Sequence, residues 1–176
     1  MRALGPGSVS SFLKIILDVV YVAMAVTAVV VAAGLVVVLI FTINPDIFGL
    51  RGALGSASEA VTHRPLLLGE TLAAALYVAG VLVIVNRLRK IFATLTAGDP
   101  FDPENVRRLR VIGAMLGALE LSRYAAALIT AWIAPHEPSH TGGVSLTAWF
   151  AVLVVFVLAE VFREGARLRR EAELTI

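Results

Sequence analysis

Residues His136 to His140, in the order His, Glu, Pro, Ser, His, reproduce the H-E-x-x-H spacing of zinc peptidases. In such an enzyme both histidines bind zinc from one face of a helix, and the glutamate activates the zinc-bound water. That chemistry needs an unbroken helix. Here Pro138 sits inside the motif, with Pro135 before it and Gly142 and Gly143 after it, and a proline costs a helix interior ~3 kcal/mol. The segment APHEPSHTGG therefore reads as a short connection, not as a peptidase site. The NPD stretch at Asn44 to Asp46 has the look of a second peptidase motif, but it also falls among turn residues. His63 is the third and last histidine. A metal held jointly by His63, His136 and His140 is the weaker alternative to three solvated loop histidines, so neither a metal nor a cofactor is expected.

The second candidate chemistry lies in charges within apolar stretches: Asp18, Glu70, Glu120, Arg123 and Glu160. Such residues are costly in a bilayer and are functional candidates by default. Asp18 and Glu160 lie within about two turns of one set of helix ends, and Glu70 within about two turns of the other, where each can reach headgroups. Glu120 and Arg123 fall mid-helix, three residues apart and hence neighbours on its surface. They read as a self-neutralising pair, with a proton or substrate relay as the sharper alternative. No Walker loop, nucleophile elbow, dinucleotide fingerprint or Ser/Lys dyad is present, and the absence of cysteine excludes disulfides and thiolate chemistry. The chain is expected not to be an enzyme.

The elements that carry these residues are helices in a membrane. Hydrophobic residues make up 59% of 176 positions, and mean hydropathy is +0.88, more than a soluble domain of this size carries. Apolar runs predict spans over 15–41, 66–88, 110–133 and 145–163, each near the 20 or so residues that cross a hydrocarbon core. The first run is about twice as long as a secretory signal core and reads as a span. Twelve of the fifteen basic residues fall at one set of helix ends, with only Arg51 and Arg64 at the other and Arg123 inside a span. By the positive-inside rule both the N-terminus and the C-terminus are then cytoplasmic. The fold class expected is an all-α integral membrane four-helix bundle forming a single domain over 1–176, with a cytoplasmic helical turn region at 89–109 and a cytoplasmic tail at 164–176. Its basic ends should meet anionic lipid headgroups, not nucleic acid. Asn44 to Arg64 should form the larger external loop.

The polar segment TAGDPFDPENVRRLR reads as a specified turn between the second and third helices. Gly98 can take the left-handed conformation that ends a helix near Ala97. Asp102 can cap the next helix, with Pro103 at its first position and Glu104 near the positive end of its dipole. Phe101 and Val106 are spaced for a hydrophobic staple. Further on, Gly113 and Gly117 give a G-x-x-x-G spacing, read here as close packing inside the bundle in preference to homodimerisation.

Gly98, Pro100, Phe101, Asn105, Leu109 and Arg110 of the turn, with Glu160, Phe162, Gly165, Leu168 and the ending Leu174, Thr175 and Ile176, resemble the pattern of the DUF2975 family of bacterial membrane proteins. The resemblance runs from about the first helix to the last residue, and the two motifs together are fairly specific. It implies a four-span protein of the bacterial inner membrane. Because some members are encoded beside small helix-turn-helix regulators of the Xre type, it also implies a cytoplasmic regulator as partner. On that expectation the chain is a non-enzymatic membrane module that binds such a regulator through its central turn and the tail REGARLRREAELTI. The alternative for the tail is a solvated helix end lying against lipid. The alternative function is a small transporter or channel subunit using Glu120 and Arg123, within the chain or in a homo-oligomer.

Overall fold

The computed structural model describes residues 9–43, 57–133 and 143–174. Four helices follow one another: α1 (Val9–Ile43), α2 (Ala57–Thr96), α3 (Pro103–Ile133) and α4 (Leu146–Glu173), with no strand among the described residues. All four are long and apolar enough to cross a membrane, over Phe12–Ile40, Leu67–Thr96, Pro103–Trp132 and Leu146–Ala172. At about 1.5 Å per residue, the 40 residues of α2 reach ~60 Å, well beyond the ~30 Å of a hydrocarbon core. The excess lies partly at its start. Helix α2 begins at Ala57, so His63 and Arg64 are on a helix and not in the external loop expected through Arg64. The backbone runs helically through Pro65 because Ala57, Glu59 and Ala60 are good helix formers ahead of it.

Packing follows chain order: α1 lies along α2, α2 along α3, and α3 along α4. Helix α1 has its extensive contact with α2 alone, so the expected bundle is an open row and not a closed ring of four. The half-buried positions of α1 include Leu17, Tyr21, Met24, Ala28, Val31, Leu35 and Val38. Their alternation of three and four residues is the seam of a helix pair packed on one side. The remaining faces of α1 carry Val19, Val22, Val26, Val29 and Val30 outward, as apolar surface exposed in the isolated chain.

The core sits where α2, α3 and α4 meet near the central turn. Ile91, Leu109, Ile112 and Ala159 are buried there, flanked by Ile84, Leu88, Leu95, Leu116, Val155 and Phe162. Small residues set the approach distances. A side chain on Gly80 would collide with Leu119 of α3, and one on Gly113 would press against Phe156 of α4, 3.0 Å away. Gly113 therefore serves packing within the chain, as expected. Gly117 has no such neighbour within 4 Å, so the two glycines do not act as one motif.

Candidate functional site

The end of the molecule that carries the basic residues is built outward from the α2–α3 turn. Gly98 takes φ 86°, a left-handed conformation that only glycine adopts without strain, and the N–H groups of Gly98 and Asp99 close α2 onto the carbonyls of Leu95 and Thr94. Four residues later Asp102 accepts a hydrogen bond from the Glu104 N–H at 2.9 Å, and its carbonyl accepts from the Asn105 N–H. Pro103 opens α3, where its missing N–H costs nothing. Glu104 lies in the first turn of α3, 3.9 Å from Arg107.

Asn105 is the hub of this turn. It is 0% exposed, the one fully buried polar side chain among the described residues. Its Nδ2 donates to Thr94 Oγ1 at 2.7 Å and to the Pro100 carbonyl at 3.2 Å, while its Oδ1 accepts from Arg108 Nη1 at 2.9 Å. The Thr94 hydroxyl in turn donates to the Ile91 carbonyl at 2.7 Å. One amide thus ties the end of α2, the turn backbone and the first turns of α3, with each of its polar atoms satisfied as burial requires.

The turn is then fastened to α4. The Phe101 ring lies 5.9 Å from that of Phe162, tilted by 53°, and covers Gly165 so closely that a Cβ there would sit 2.5 Å from the ring. Arg169 and Asp99 form an ion pair a turn further out. Phe101, read from sequence as a staple for Val106, therefore reaches across to α4. Leu109 joins the core, while Arg110 is exposed. Helix α4 continues past its last apolar residues to Glu173, its exposed surface laced by Arg163 with Glu160 and by Arg167 with Glu164 and Glu171. Leu168 is 55% exposed and Leu174, at the C-cap, is 83% exposed. Thr175 and Ile176 lie outside the described residues.

At the same end Asp18 of α1 accepts from Arg89 Nε of α2 at 2.6 Å, and the Arg89 guanidinium stacks over Tyr21, 4.3 Å from the ring centroid. Asp18, placed by the sequence near a helix end, thus also joins α1 to α2.

Glu120 and Arg123 do pair. Arg123 Nη2 donates to Glu120 Oε1 at 2.6 Å and Nε to Oε2 at 3.3 Å, and the Glu120 side chain is only 11% exposed. Two partners were not foreseen. The Tyr124 hydroxyl donates to Glu120 Oε1 at 2.5 Å and accepts from the Ser145 N–H at 3.1 Å, and Arg123 Nη2 also reaches the Gly143 carbonyl at 3.4 Å. Ser145 is the N-cap of α4, its Oγ accepting from the Ala148 N–H. Although mid-helix in α3, the pair is therefore level with the start of α4, and its polar groups tie the chain that enters α4 to α3. Glu160, another of the charged candidates, is paired with Arg163 one turn away on α4.

His136 and His140 lie outside the described residues, as does the NPD stretch. Among the described residues no group of three or more His, Asp or Glu side chains is placed to hold a metal ion.

Neither a curated protein nor a solved structure matches the chain. A family model matches residues 52–176, which takes in α2, the turn, α3, α4 and the tail, and leaves out α1, where the resemblance was expected to begin. Five of the residues that carried the resemblance converge at the turn: Gly98 ends α2, Asn105 binds the turn from within, and Phe101 closes on Gly165 and Phe162. With more than two thirds of its length matched, this chain of four potential membrane spans belongs to the family described as "Protein of unknown function (DUF2975)".

Proposed function

We propose that the chain is a non-enzymatic, multi-span protein of the bacterial inner membrane that presents a rigid helical tail to a cytoplasmic protein, a small helix-turn-helix regulator of the Xre type being the partner the family resemblance suggests. One observation carries this reading. The turn and the α4 extension are locked together by Phe101, Gly165, Asp99 and Arg169, yet Leu168 within this stretch and Leu174 beyond it are exposed among charges.

The partner surface is narrower than the motif. Asn105 is fully enclosed and cannot touch a partner, so it supports the platform while the exposed tail does the binding. The two ends of the chain face the cytoplasm on this reading, following the basic residues. The transporter alternative is less favoured, because Glu120 and Arg123 are engaged with each other, with Tyr124 and with the loop entering α4.

The test is purification of the tagged chain from its native membrane under mild detergent, with the wild type, a Leu168→Glu and Leu174→Glu double variant, and Glu120→Gln compared by quantitative mass spectrometry. A stoichiometric regulator that is lost in the tail variant and kept in Glu120→Gln is expected. Retention of that regulator in the tail variant, or recovery of the chain with itself alone, would overturn the proposal.

A further inference from the structure

At the basic end Arg89 is paired with Asp18, Arg107 with Glu104, Arg163 with Glu160, Arg167 with Glu164 and Arg169 with Asp99. Lys14, Arg87, Lys90, Arg108, Arg110 and Arg170 have no carboxylate partner among the described residues, and of these Arg87, Lys90 and Arg108 lie together on facing turns of α2 and α3. Arg87 and Lys90 are three apart on α2, and Arg108 of α3 joins them by donating Nη1 to the Lys90 carbonyl at 3.2 Å. This face points away from the other two helices. Arg87 is two positions from Arg89, and so on the opposite side of α2 from the contact with α1. Arg108 is five positions, about 140° of rotation, from Gly113, which receives Phe156 of α4.

The Arg108 guanidinium is held in place, not free to wander. Nη1 is fixed by Asn105 and the Lys90 carbonyl, Nε is buried without an acceptor, and Nη2 has no hydrogen bond among the described residues. Moving from these cations along the same face into the apolar segments, Val83 lies one turn before Arg87, while Val111 and Met115 lie one and two turns after Arg108, all half-buried. Three cations at the polar edge of an apolar face match an amphiphile with an anionic head. A free phosphate ion would use only the cationic half of that surface, so the apolar half favours the lipid.

We propose that Arg87, Lys90 and Arg108 form a site for the phosphate of an anionic phospholipid, whose acyl chains lie along Val83, Val111 and Met115. Two juxtaposed helices with basic residues at the headgroup level are a recurrent solution for such lipids. The site is separate from the tail, and its occupancy would steady the same α2–α3 turn that supports the tail.

The experiment uses the full chain, delipidated in detergent and titrated with phosphatidylglycerol or phosphatidylcholine while retained lipid is counted by native mass spectrometry. Wild type is expected to retain one phosphatidylglycerol with about tenfold preference over phosphatidylcholine. An Arg87→Gln and Lys90→Gln double variant should bring that preference below about twofold, whereas Arg163→Gln with Arg170→Gln, which removes as much charge elsewhere, should keep it. Arg108 is left intact because it also holds Asn105. The proposal is overturned if the first variant keeps the preference, if both variants lose it equally, or if glycerol phosphate at equal concentration displaces the lipid.

Discussion

Replacing Asn105 by alanine should loosen the turn by an amount that its bonds set in advance. The change leaves the Pro100 carbonyl without its side-chain donor, removes the donor to Thr94 Oγ1, and leaves Arg108 Nη1 with only the Lys90 carbonyl. Thr94 keeps its bond to the Ile91 carbonyl, so that part of the loss is partial. Three hydrogen bonds at a net ~0.5–1.5 kcal/mol each, one of them to a charged donor, give a destabilisation of about 2–4 kcal/mol. Arg107→Ala, at an exposed neighbouring position, is the control and should stay within about 0.5 kcal/mol of wild type. Unfolding would be followed by helicity in a titration from mild detergent into dodecyl sulfate, with hydrogen exchange reporting the amides of Gly98 and Asp99. Asn105→Ala should lower the midpoint and speed exchange at those two amides more than at the Glu120 end. A midpoint indistinguishable from that of Arg107→Ala would refute the role given to Asn105.

Other consequences are equally direct. Gly165→Ala would set a Cβ 2.5 Å from the Phe101 ring and should cost about 1–3 kcal/mol, reduced when Phe101→Leu is combined with it, by the same unfolding titration. Gly98→Ala places a side chain on a left-handed residue and should cost about 1–2 kcal/mol, whereas Gly117→Ala, with open space around it, should be neutral or slightly stabilising. Tyr124→Phe should speed amide exchange at Ser145 while leaving exchange at the α2–α3 turn unchanged, since the lost hydroxyl is the acceptor for the Ser145 N–H. Reversing Arg169 to Asp should loosen the tail modestly, by no more than about 1 kcal/mol at this half-exposed pair, and adding Asp99→Arg should restore it in a double-mutant cycle.

What could be read from the chain and what could not follow the range of the forces involved. The four apolar runs and the α2–α3 turn were legible because their determinants are local: Gly98, Asp102 and Pro103 act within a few residues of themselves. The pairing of Glu120 with Arg123 was legible for the same reason, being one helical turn. The attachments of Phe101 to Gly165, of Asp18 to Arg89 and of Tyr124 to Ser145 were not, since each depends on the register of one helix against another. Tyr124 did carry a faint signal, lying four residues after Glu120 and so on the same face. Helix α2 was started too late because the turn signals in NPD, RG and GSAS obscured the helix formers from Ala57 onward. The histidine motif lies outside the described residues, so its reading as a connection rests on its prolines and glycines.

Partner binding by the tail requires that it be held as a rigid extension of α4 against the turn, and this can be measured without disturbing native cysteines, of which there are none. Spin labels on Ala97→Cys and Ala172→Cys, both exposed positions, would report the distance between turn and tail in lipid bilayers by double electron–electron resonance. A single narrow distance distribution that broadens when Gly165→Ala is added is the predicted result. A broad distribution in the otherwise native chain, unaffected by Gly165→Ala, would contradict the locked platform and with it the basis for tail-directed partner binding.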